Sequence, residues 1–294
     1  MATPASVEEL LAKAKKPSED AMRLHPVYRG KLAVTPKCQI RDLKDFAVWY
    51  TPGVAAPCRD IAQHPEHVYQ HTNKGNFVAV VSDGTRVLGL GNIGPLAALP
   101  VMEGKAILFK YLGGVDAFPI CLDTTDPEEI IQACKWLAPT FGGINLEDIE
   151  KPKCFYILER LRAEMHIPVW HDDQQGTAAI TLAGLLNALK IVNKSKEEVK
   201  IAQIGAGAAN MAIARVLIAA GFPPEHFVMV DTKGILHAGR DDLETEATPA
   251  KRHMCEISNA EGRTGGIPEA LQGADVCLAL SQPGPGTITP EWVA

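Results

Sequence analysis

The chain has 294 residues, of which 46% are hydrophobic and 22% charged, and its formal net charge is −6. This composition is typical of a globular protein with room for two domains, and the acidic balance argues against nucleic acid as the main partner. No uninterrupted apolar run reaches the length of a membrane span, and the N-terminus lacks the regions of a signal peptide, so we expect a cytoplasmic protein without a membrane partner. The seven cysteines are scattered without a C-x-x-C pair, which favours reduced thiols.

The first half of the chain is predicted to alternate strands and helices after a short N-terminal helix. Residues 77–82 are rich in β-branched side chains and predict a buried strand, and residues 117–122 predict a second one. Between these strands we expect a glycine-rich turn and a helix over residues 103–111. Asp126 is predicted to cap a further helix that has Pro127 in its first turn.

The second half is predicted to form a parallel sheet with helices on both faces, because strands and helices alternate regularly. The predicted elements are a helix over 153–165, a strand over 167–170, a helix over 177–192, a strand over 199–204, a helix over 210–220, a strand over 227–230 and a strand near a sheet edge over 274–280. We therefore predict an α/β protein of two domains. An N-terminal α/β substrate and catalytic domain would occupy residues 1–160, and a Rossmann-type doubly wound domain would occupy residues 161–294.

Two pairs of acidic residues are the most informative feature of the sequence. Glu147 and Asp148 follow Leu146, and Asp172 and Asp173 follow a predicted strand. Neighbouring carboxylates repel each other, and a hard cation such as Mg²⁺ or Mn²⁺ removes that penalty and polarises a substrate carbonyl. Each pair alone is explained as well by a solvated helix start, where Asp and Glu are common. A metal site therefore depends on support from the rest of the chain.

Two glycine motifs could bind a dinucleotide. The literal G-x-G-x-x-G occupies residues 89–94, but Pro95, Pro100 and Gly104 follow it, and we expect them to prevent a regular helix from starting there. Residues 205–210 lack the third glycine, yet they follow a strand and open an unbroken helix, which favours cofactor binding over a ligand-free turn. The predicted cofactor-binding residues of this second motif are Gly205, Ala206, Gly207, Ala208 and Ala209.

Asp231 stands at the end of the strand after the second motif, where a carboxylate binds the ribose of NAD. Lys233 lies two residues further and could equally bind the 2′-phosphate of NADP. The sequence leaves both cofactors, NAD and NADP, open.

Six short motifs, in order and spread over nearly the whole chain from Val27, resemble those of the malic enzyme family. The likeness is greatest to the shorter bacterial and archaeal form. The motifs are W-Y-T-P-G-V-A at 49–55, S-D-G-T-R-V-L-G-L-G at 82–91, P-V-M-E-G-K at 100–105, L-E-D at 146–148, H-D-D-Q-Q-G-T at 171–177 and G-A-G at 205–207.

The resemblance implies a role for each of several residues. Tyr50 would be the general acid and Lys105 the general base, Asp172 would help to position the lysine, and Arg86 would bind a substrate carboxylate. The first glycine motif would be a loop on the substrate side. The implied metal ligands are Glu147, Asp148 and Asp173.

The reaction implied by the resemblance is oxidative decarboxylation of L-malate to pyruvate and CO₂, with NAD or NADP and Mg²⁺ or Mn²⁺. A buried lysine beside a dication can take the C2 hydroxyl proton because its pKa is lowered, and a tyrosine can protonate C3. The alternatives are a malolactic-type or other 2-hydroxy-acid reaction on the same fold, or an inactive subunit that only binds nucleotide or dimerises. We expect a homodimer or a higher homo-oligomer.

The family also has further segments after the last motif, among them a strand and an Asn-Pro segment. In this sequence Thr289 and Pro290 predict the start of a helix that has only four further residues after Pro290. The resemblance therefore implies a Rossmann domain that is incomplete at its C-terminus.

Overall fold

The computed structural model describes residues 7–242, 249–281 and 286–293, with side chains from residue 15. The chain forms two compact units, each built from two segments. Unit 1 comprises Met1–Asn145 and Arg160–Val169, and unit 2 comprises Leu146–Glu159 and Trp170–Ala294. The predicted boundary at residue 160 differs from this interleaved division and stays a prediction.

Unit 1 contains six helices among its described residues, and helix α7 crosses the division at residue 159. Their bounds are α1 Val7–Tyr28, α2 Asp45–Trp49, α3 Ala55–Gln63, α4 Val68–His71, α5 Gly94–Gly113, α6 Pro127–Leu137 and α7 Lys153–Glu164. Helix α6 begins as the sequence predicts, because the Asp126 carboxylate accepts the amide N–H of Glu128 at 2.7 Å.

The first sheet has the strand order β2-β1-β3-β4. Its strands are β1 Phe77–Ser82, β2 Asp116–Cys121, β3 Gly143–Leu146 and β4 Val169–His171. Strand β1 pairs in parallel with β2, with Phe77 opposite Asp116. Val80 of β1 and Ala117 of β2 pack with Met102 and Ala106 of α5 to form a buried cluster. Strand β3 was not predicted, because four residues give too short a pattern.

Unit 2 contains the second sheet, with the order β7-β6-β5-β8. Its elements are α8 Thr177–Val192, β5 Ile201–Ile204, α9 Ala208–Ala219, β6 Phe227–Asp231, β7 Gly234–Ile235, α10 Pro249–Ile257, α11 Ile267–Leu271 and β8 Val276–Ala279. Strand β5 runs parallel to β6 and β8, while β7 is antiparallel to β6. Within the described sheet β8 is an edge strand, as predicted.

Both faces of the second sheet are covered. Ile201 packs in one hydrophobic cluster with residues of α8 and α9, whereas its neighbour Ala202 packs in another with residues of α11. Successive side chains of a strand point to opposite faces, so the two clusters lie on the two sides of the sheet. The predicted α/β class with a Rossmann-type domain is therefore confirmed.

One segment among the described residues, Asp172–Val192, is long and apolar enough to cross a membrane by length and composition, with a mean hydropathy of 1.2. It is not the uninterrupted apolar run that the sequence analysis excluded, because Asn187 and Lys190 also lie within it. A single such helix is weak evidence for a membrane, because core helices pass the same test. This segment also begins with Asp172 and Asp173, which would be costly in a bilayer.

Candidate metal and cofactor sites

Three carboxylates converge in unit 2. One ligand oxygen from each of Glu147, Asp148 and Asp173 lies within 4.8 Å of the others. Glu147 and Asp148 are each only 5% exposed. The backbone amide of Asp148 donates to the Asp173 carboxylate at 3.1 Å, and Asp148 has a φ of 54°, a left-handed conformation that Asp tolerates. Three carboxylate oxygens at this spacing fit the donor set that Mg²⁺ and Mn²⁺ prefer.

A turn of π-helix, Asp172–Gly176, presents Asp172 and Asp173 between β4 and α8. The residues at the two N-cap positions, His171 for this turn and Gly176 for α8, form no side-chain capping hydrogen bond. A Cβ at Gly176 would lie 2.3 Å from Oδ1 of Asp172, so only glycine leaves that carboxylate its position. Turns of this kind are frequent at functional sites.

His171 is a buried support for this turn that the sequence reasoning did not single out. Its side chain is fully buried, and its Nδ1 accepts the Gln174 side-chain amide at 2.9 Å. Its Nε2 lies 3.5 Å from Oδ2 of Asp173. Burial lowers the pKa of His171, against the opposing effect of Asp173 and Asp172. A neutral imidazole with Nδ1 as acceptor carries its proton on Nε2, which faces Asp173.

The predicted acid, base and substrate-binding residues lie in unit 1. Tyr50 follows α2 with a 69% exposed side chain, and Lys105 is a half-buried residue of α5. Arg86 is exposed in the loop after β1, where its guanidinium donates to the carbonyl of Leu88 at 2.6 Å. The predicted approach of these residues to the carboxylates, including that of Asp172 to Lys105, stays a prediction.

The expectation that no regular helix follows the first glycine motif was wrong. Helix α5 begins at Gly94 and continues through Pro100 and Gly104 to Gly113. Its buried residues Ala98, Met102 and Ala106 are four apart, so they form one face of the helix, which packs on the sheet. The free energy gained by burying this face exceeds the cost of the backbone hydrogen bond that Pro100 cannot form.

The first glycine motif nevertheless has two of its backbone amides engaged by the preceding loop. The backbone amides of Ile93 and Gly94 both donate to the carbonyl of Gly84 at 3.2 Å, so these two donors at the start of α5 are already engaged. A phosphate would have to displace that carbonyl to use them.

The second motif forms an open turn before α9. Gly205 has a φ of 102°, and a Cβ there would lie 2.7 Å from the carbonyl oxygen of Leu280, so the fold requires glycine. Gly207 precedes α9 in an extended conformation, and among the described residues the nearest atom to a Cβ there is Nζ of Lys151 at 4.0 Å. The described part of the chain therefore leaves space in front of the N-terminus of α9, with a cation beside it.

Asn210, which replaces the third glycine, links this turn and strand β5 to α9 through hydrogen bonds. Its fully buried side-chain amide donates to the carbonyl of Ile204 at 3.0 Å and to that of Gly205 at 2.6 Å. A side chain at this position would be expected to weaken the close packing of α9 on β5. The two hydrogen bonds offset that loss, and only the folded chain reveals them.

Asp231 is held by several cations at the end of β6. Its Oδ1 accepts Arg240 at 2.9 Å and the amide of Lys233 at 2.8 Å, while its Oδ2 accepts Arg240 at 3.2 Å and Lys251 at 2.8 Å. Burial raises the pKa of Asp231, but these hydrogen bonds outweigh it and lower the pKa overall. A carboxylate has about four acceptor sites, and all four are used here. No sequence signal pointed to Arg240 or Lys251, because both lie beyond the β6–β7 turn.

Two family models match the chain. "Malic enzyme, N-terminal domain" matches residues 29–162, and "Malic enzyme, NAD binding domain" matches residues 174–275. The second match contains the motif at residues 205–210, whereas the first contains the motif at residues 89–94.

Curated relatives and a solved structure agree with these matches. The chain is 49% identical over 94% of its length to the "Bifunctional malic/malolactic enzyme" of Bacillus subtilis and 46% identical over 90% to the "NADP-dependent malic enzyme" of Halomonas elongata. It spans 65% and 60% of those two proteins. The crystal structure of an NAD-dependent malic enzyme from Thermotoga maritima has a TM-score of 0.86 and 48% identity, with 93% of this chain and 71% of that one covered. The chain belongs to the malic enzyme family.

Proposed function

We propose that this chain provides the metal, substrate and cofactor residues for oxidative decarboxylation of L-malate to pyruvate and CO₂, with reduction of NAD or NADP. The observation that carries the proposal is the convergence of Glu147, Asp148 and Asp173 within 4.8 Å in a chain of the malic enzyme family. Carboxylates at this spacing repel one another, and a divalent cation relieves the repulsion.

Each residue would have a defined task. Lys105 would accept the C2 hydroxyl proton as hydride leaves for the nicotinamide, and Asp172 would hold that lysine in place. Arg86 would bind a malate carboxylate, and Tyr50 would donate a proton to C3 after CO₂ has left. A bound Mg²⁺ or Mn²⁺ would polarise the C2 oxygen and offset the charge that develops there.

The cofactor would bind with its pyrophosphate at the N-terminus of α9, over residues 205–209. Gly207 leaves space there, and the amide donors and dipole of a helix N-terminus favour an anion. The ammonium of Lys151 lies beside the same space and would add a second attraction for the pyrophosphate.

The surroundings of Asp231 favour NADP. Its acceptor sites are filled by Arg240, Lys251 and the amide of Lys233, so it has little capacity for ribose hydroxyls. The side chains of Arg240, Lys251 and Lys233 all lie at this end of β6, within ion-pair distance of Asp231 or Asp242. A 2′-phosphate would form charge-assisted hydrogen bonds with such cations, whereas a 2′-hydroxyl carries no charge.

The decisive experiment is an assay of the purified chain with L-malate, Mn²⁺ and each cofactor in turn, followed at the absorbance of the reduced nicotinamide. Reduction with release of pyruvate and CO₂ supports the proposal, and a higher kcat/KM with NADP supports the cofactor preference. Lys251→Met should then weaken NADP binding at least about tenfold more than NAD binding, because a phosphate loses more than a hydroxyl does.

A malolactic reaction is the second candidate, because a relative that is 49% identical is named as a bifunctional malic/malolactic enzyme. Lactate without net reduction of the cofactor would favour it. Cofactor binding without any turnover would favour an inactive subunit. The predicted homo-oligomer and cytoplasmic location remain predictions, which sizing of the purified protein and fractionation of cells would test.

A further inference from the structure

A second group of metal-binding side chains lies in unit 1, among residues that the proposed reaction does not use. Asp60 belongs to α3, His67 ends the 3₁₀ turn Pro65–His67, and His71 ends α4. The two histidines are four residues apart on consecutive turns, so their rings lie on the same side of the chain. The H-x₃-H spacing is one that structural zinc sites use.

The three side chains meet at one carboxylate oxygen. Oδ2 of Asp60 lies 2.7 Å from Nδ1 of His67 and 2.7 Å from Nε2 of His71. One ligand atom from each residue lies within 4.8 Å of the others. The three side chains are between 31% and 38% exposed, so an ion could enter from solvent and keep water as a further ligand.

The chemistry of this group differs from that of the carboxylates in unit 2. Two imidazole nitrogens and one carboxylate oxygen form the donor set of three-ligand zinc sites, and imidazole suits Zn²⁺, Co²⁺ and Cu²⁺ better than Mg²⁺ or Mn²⁺.

We propose that Asp60, His67 and His71 bind a Zn²⁺-type transition-metal ion, in a site separate from the Mg²⁺- or Mn²⁺-type site of Glu147, Asp148 and Asp173. Each neutral imidazole would bind the ion through the nitrogen that faces Asp60 and carry its single proton on the other ring nitrogen. The ion then links the body of α3 to the turn and helix that follow, which closes a loop of the chain and stabilises this part of unit 1.

Calorimetric titration of the chelator-treated chain with Zn²⁺ tests this proposal. Cys58 and Cys277 are exposed and would also bind zinc, so accessible thiols are first alkylated in every sample. The alkylated wild-type chain should bind Zn²⁺ at this site, and His67→Gln and His71→Gln should each weaken that binding at least about tenfold, since loss of even an outer-shell partner costs 10–100-fold.

Two control variants separate this site from other effects. His253→Gln removes an exposed histidine of unit 2, 3.9 Å from Glu256, and should leave Zn²⁺ binding unchanged. Asp173→Asn should weaken Mn²⁺ binding at least about tenfold but leave this Zn²⁺ site intact, so failure of one metal site does not imply failure of the other. Equal Zn²⁺ isotherms for the wild type, His67→Gln and His71→Gln would overturn the proposal.

A measurement on the unsubstituted chain tests the proposal even if the histidine variants fail to fold. One equivalent of Cu²⁺ should give an electron paramagnetic resonance spectrum with superhyperfine splitting from two imidazole nitrogens. A spectrum without nitrogen splitting would contradict binding at His67 and His71. The histidine variants should lose the splitting, whereas His253→Gln should keep it.

Discussion

Replacing Asp173 with asparagine should stabilise the metal-free chain and reduce the further stabilisation that Mn²⁺ gives to the wild type. Two carboxylate oxygens 4.8 Å apart, the upper limit for this cluster, repel each other by about 3 kcal/mol at an effective dielectric constant of about 20. Asp173 forms two such pairs, but its side chain is 40% exposed, so water and proton uptake screen most of the repulsion. We expect about 1–2 kcal/mol to remain.

Without metal, Asp173→Asn should therefore raise Tm by about 2–6 °C for a protein of this size. The asparagine oxygen can still accept the amide of Asp148, which lies 3.1 Å from the carboxylate in the wild type, so no buried donor loses its partner. With Mn²⁺ at about 100 times Kd, the wild type gains about 2.7 kcal/mol. The variant should lose at least about half of this gain, because the missing ligand weakens Mn²⁺ binding at least about tenfold.

Thermal unfolding with chelator and with rising Mn²⁺ measures both effects. The measurement is made at pH 8, where His171 is neutral because burial lowers its pKa from the usual value. A charge on His171 then does not affect the repulsion among the carboxylates. Asp172→Asn is the matched control, because it makes the same substitution on the adjacent residue outside the triad and should keep the Mn²⁺-dependent rise in Tm. A wild-type chain without such a rise, or an equal rise in Asp173→Asn, would refute the reasoning.

Three further predictions concern the proposed reaction. Lys105→Ala should remove malate oxidation, whereas Tyr50→Phe should chiefly impair protonation of enolpyruvate, so oxaloacetate reduction should survive better; equal loss in both assays would contradict this division. Gly207→Val should weaken cofactor binding, measured by fluorescence of the reduced cofactor, and leave Mn²⁺ binding intact; loss through a bulky residue at Gly91 instead would show that the choice of motif was wrong. Lys151→Met should weaken NAD and NADP binding by the same factor, because the pyrophosphate is common to both, and an unchanged Kd would exclude Lys151 from the site.

The sequence predicted best those elements whose cause is local. Strand β1 has the predicted bounds Phe77–Ser82, and α8 has the predicted bounds Thr177–Val192. The start of α6 follows from the Asp126 cap and Pro127, which act within one turn. In each case neighbouring residues alone determine the structure.

The sequence-based predictions failed where contacts between residues far apart in the chain determine the local structure. Pro100 and Gly104 weaken a helix locally, but the buried face of α5 packs against the sheet and keeps it continuous. The cations around Asp231 come from Arg240 and Lys251, nine and 20 residues further along the chain. Likewise, no pattern of single residues shows that His171 supports the carboxylates or that Asp60 meets two histidines.

The two glycines of the second motif offer a test that separates folding from cofactor binding. Gly205 has a φ of 102°, and a Cβ there would lie 2.7 Å from the backbone oxygen of Leu280. Gly205→Ala should therefore lower the free energy of unfolding by about 2–4 kcal/mol, from backbone strain and the clash together.

Gly207→Ala should change stability by less than about 0.5 kcal/mol, because Gly207 has an ordinary φ of −85° and, among the described residues, its Cβ would meet only Nζ of Lys151, at 4.0 Å. Its effect should instead be on the dissociation constant of the cofactor, since a methyl group there occupies the space in front of α9 that the pyrophosphate needs. Thermal unfolding and cofactor titration of both variants distinguish the two roles. If Gly207→Ala destabilises the chain as much as Gly205→Ala and leaves cofactor affinity unchanged, the open turn has a structural role and the pyrophosphate binds elsewhere.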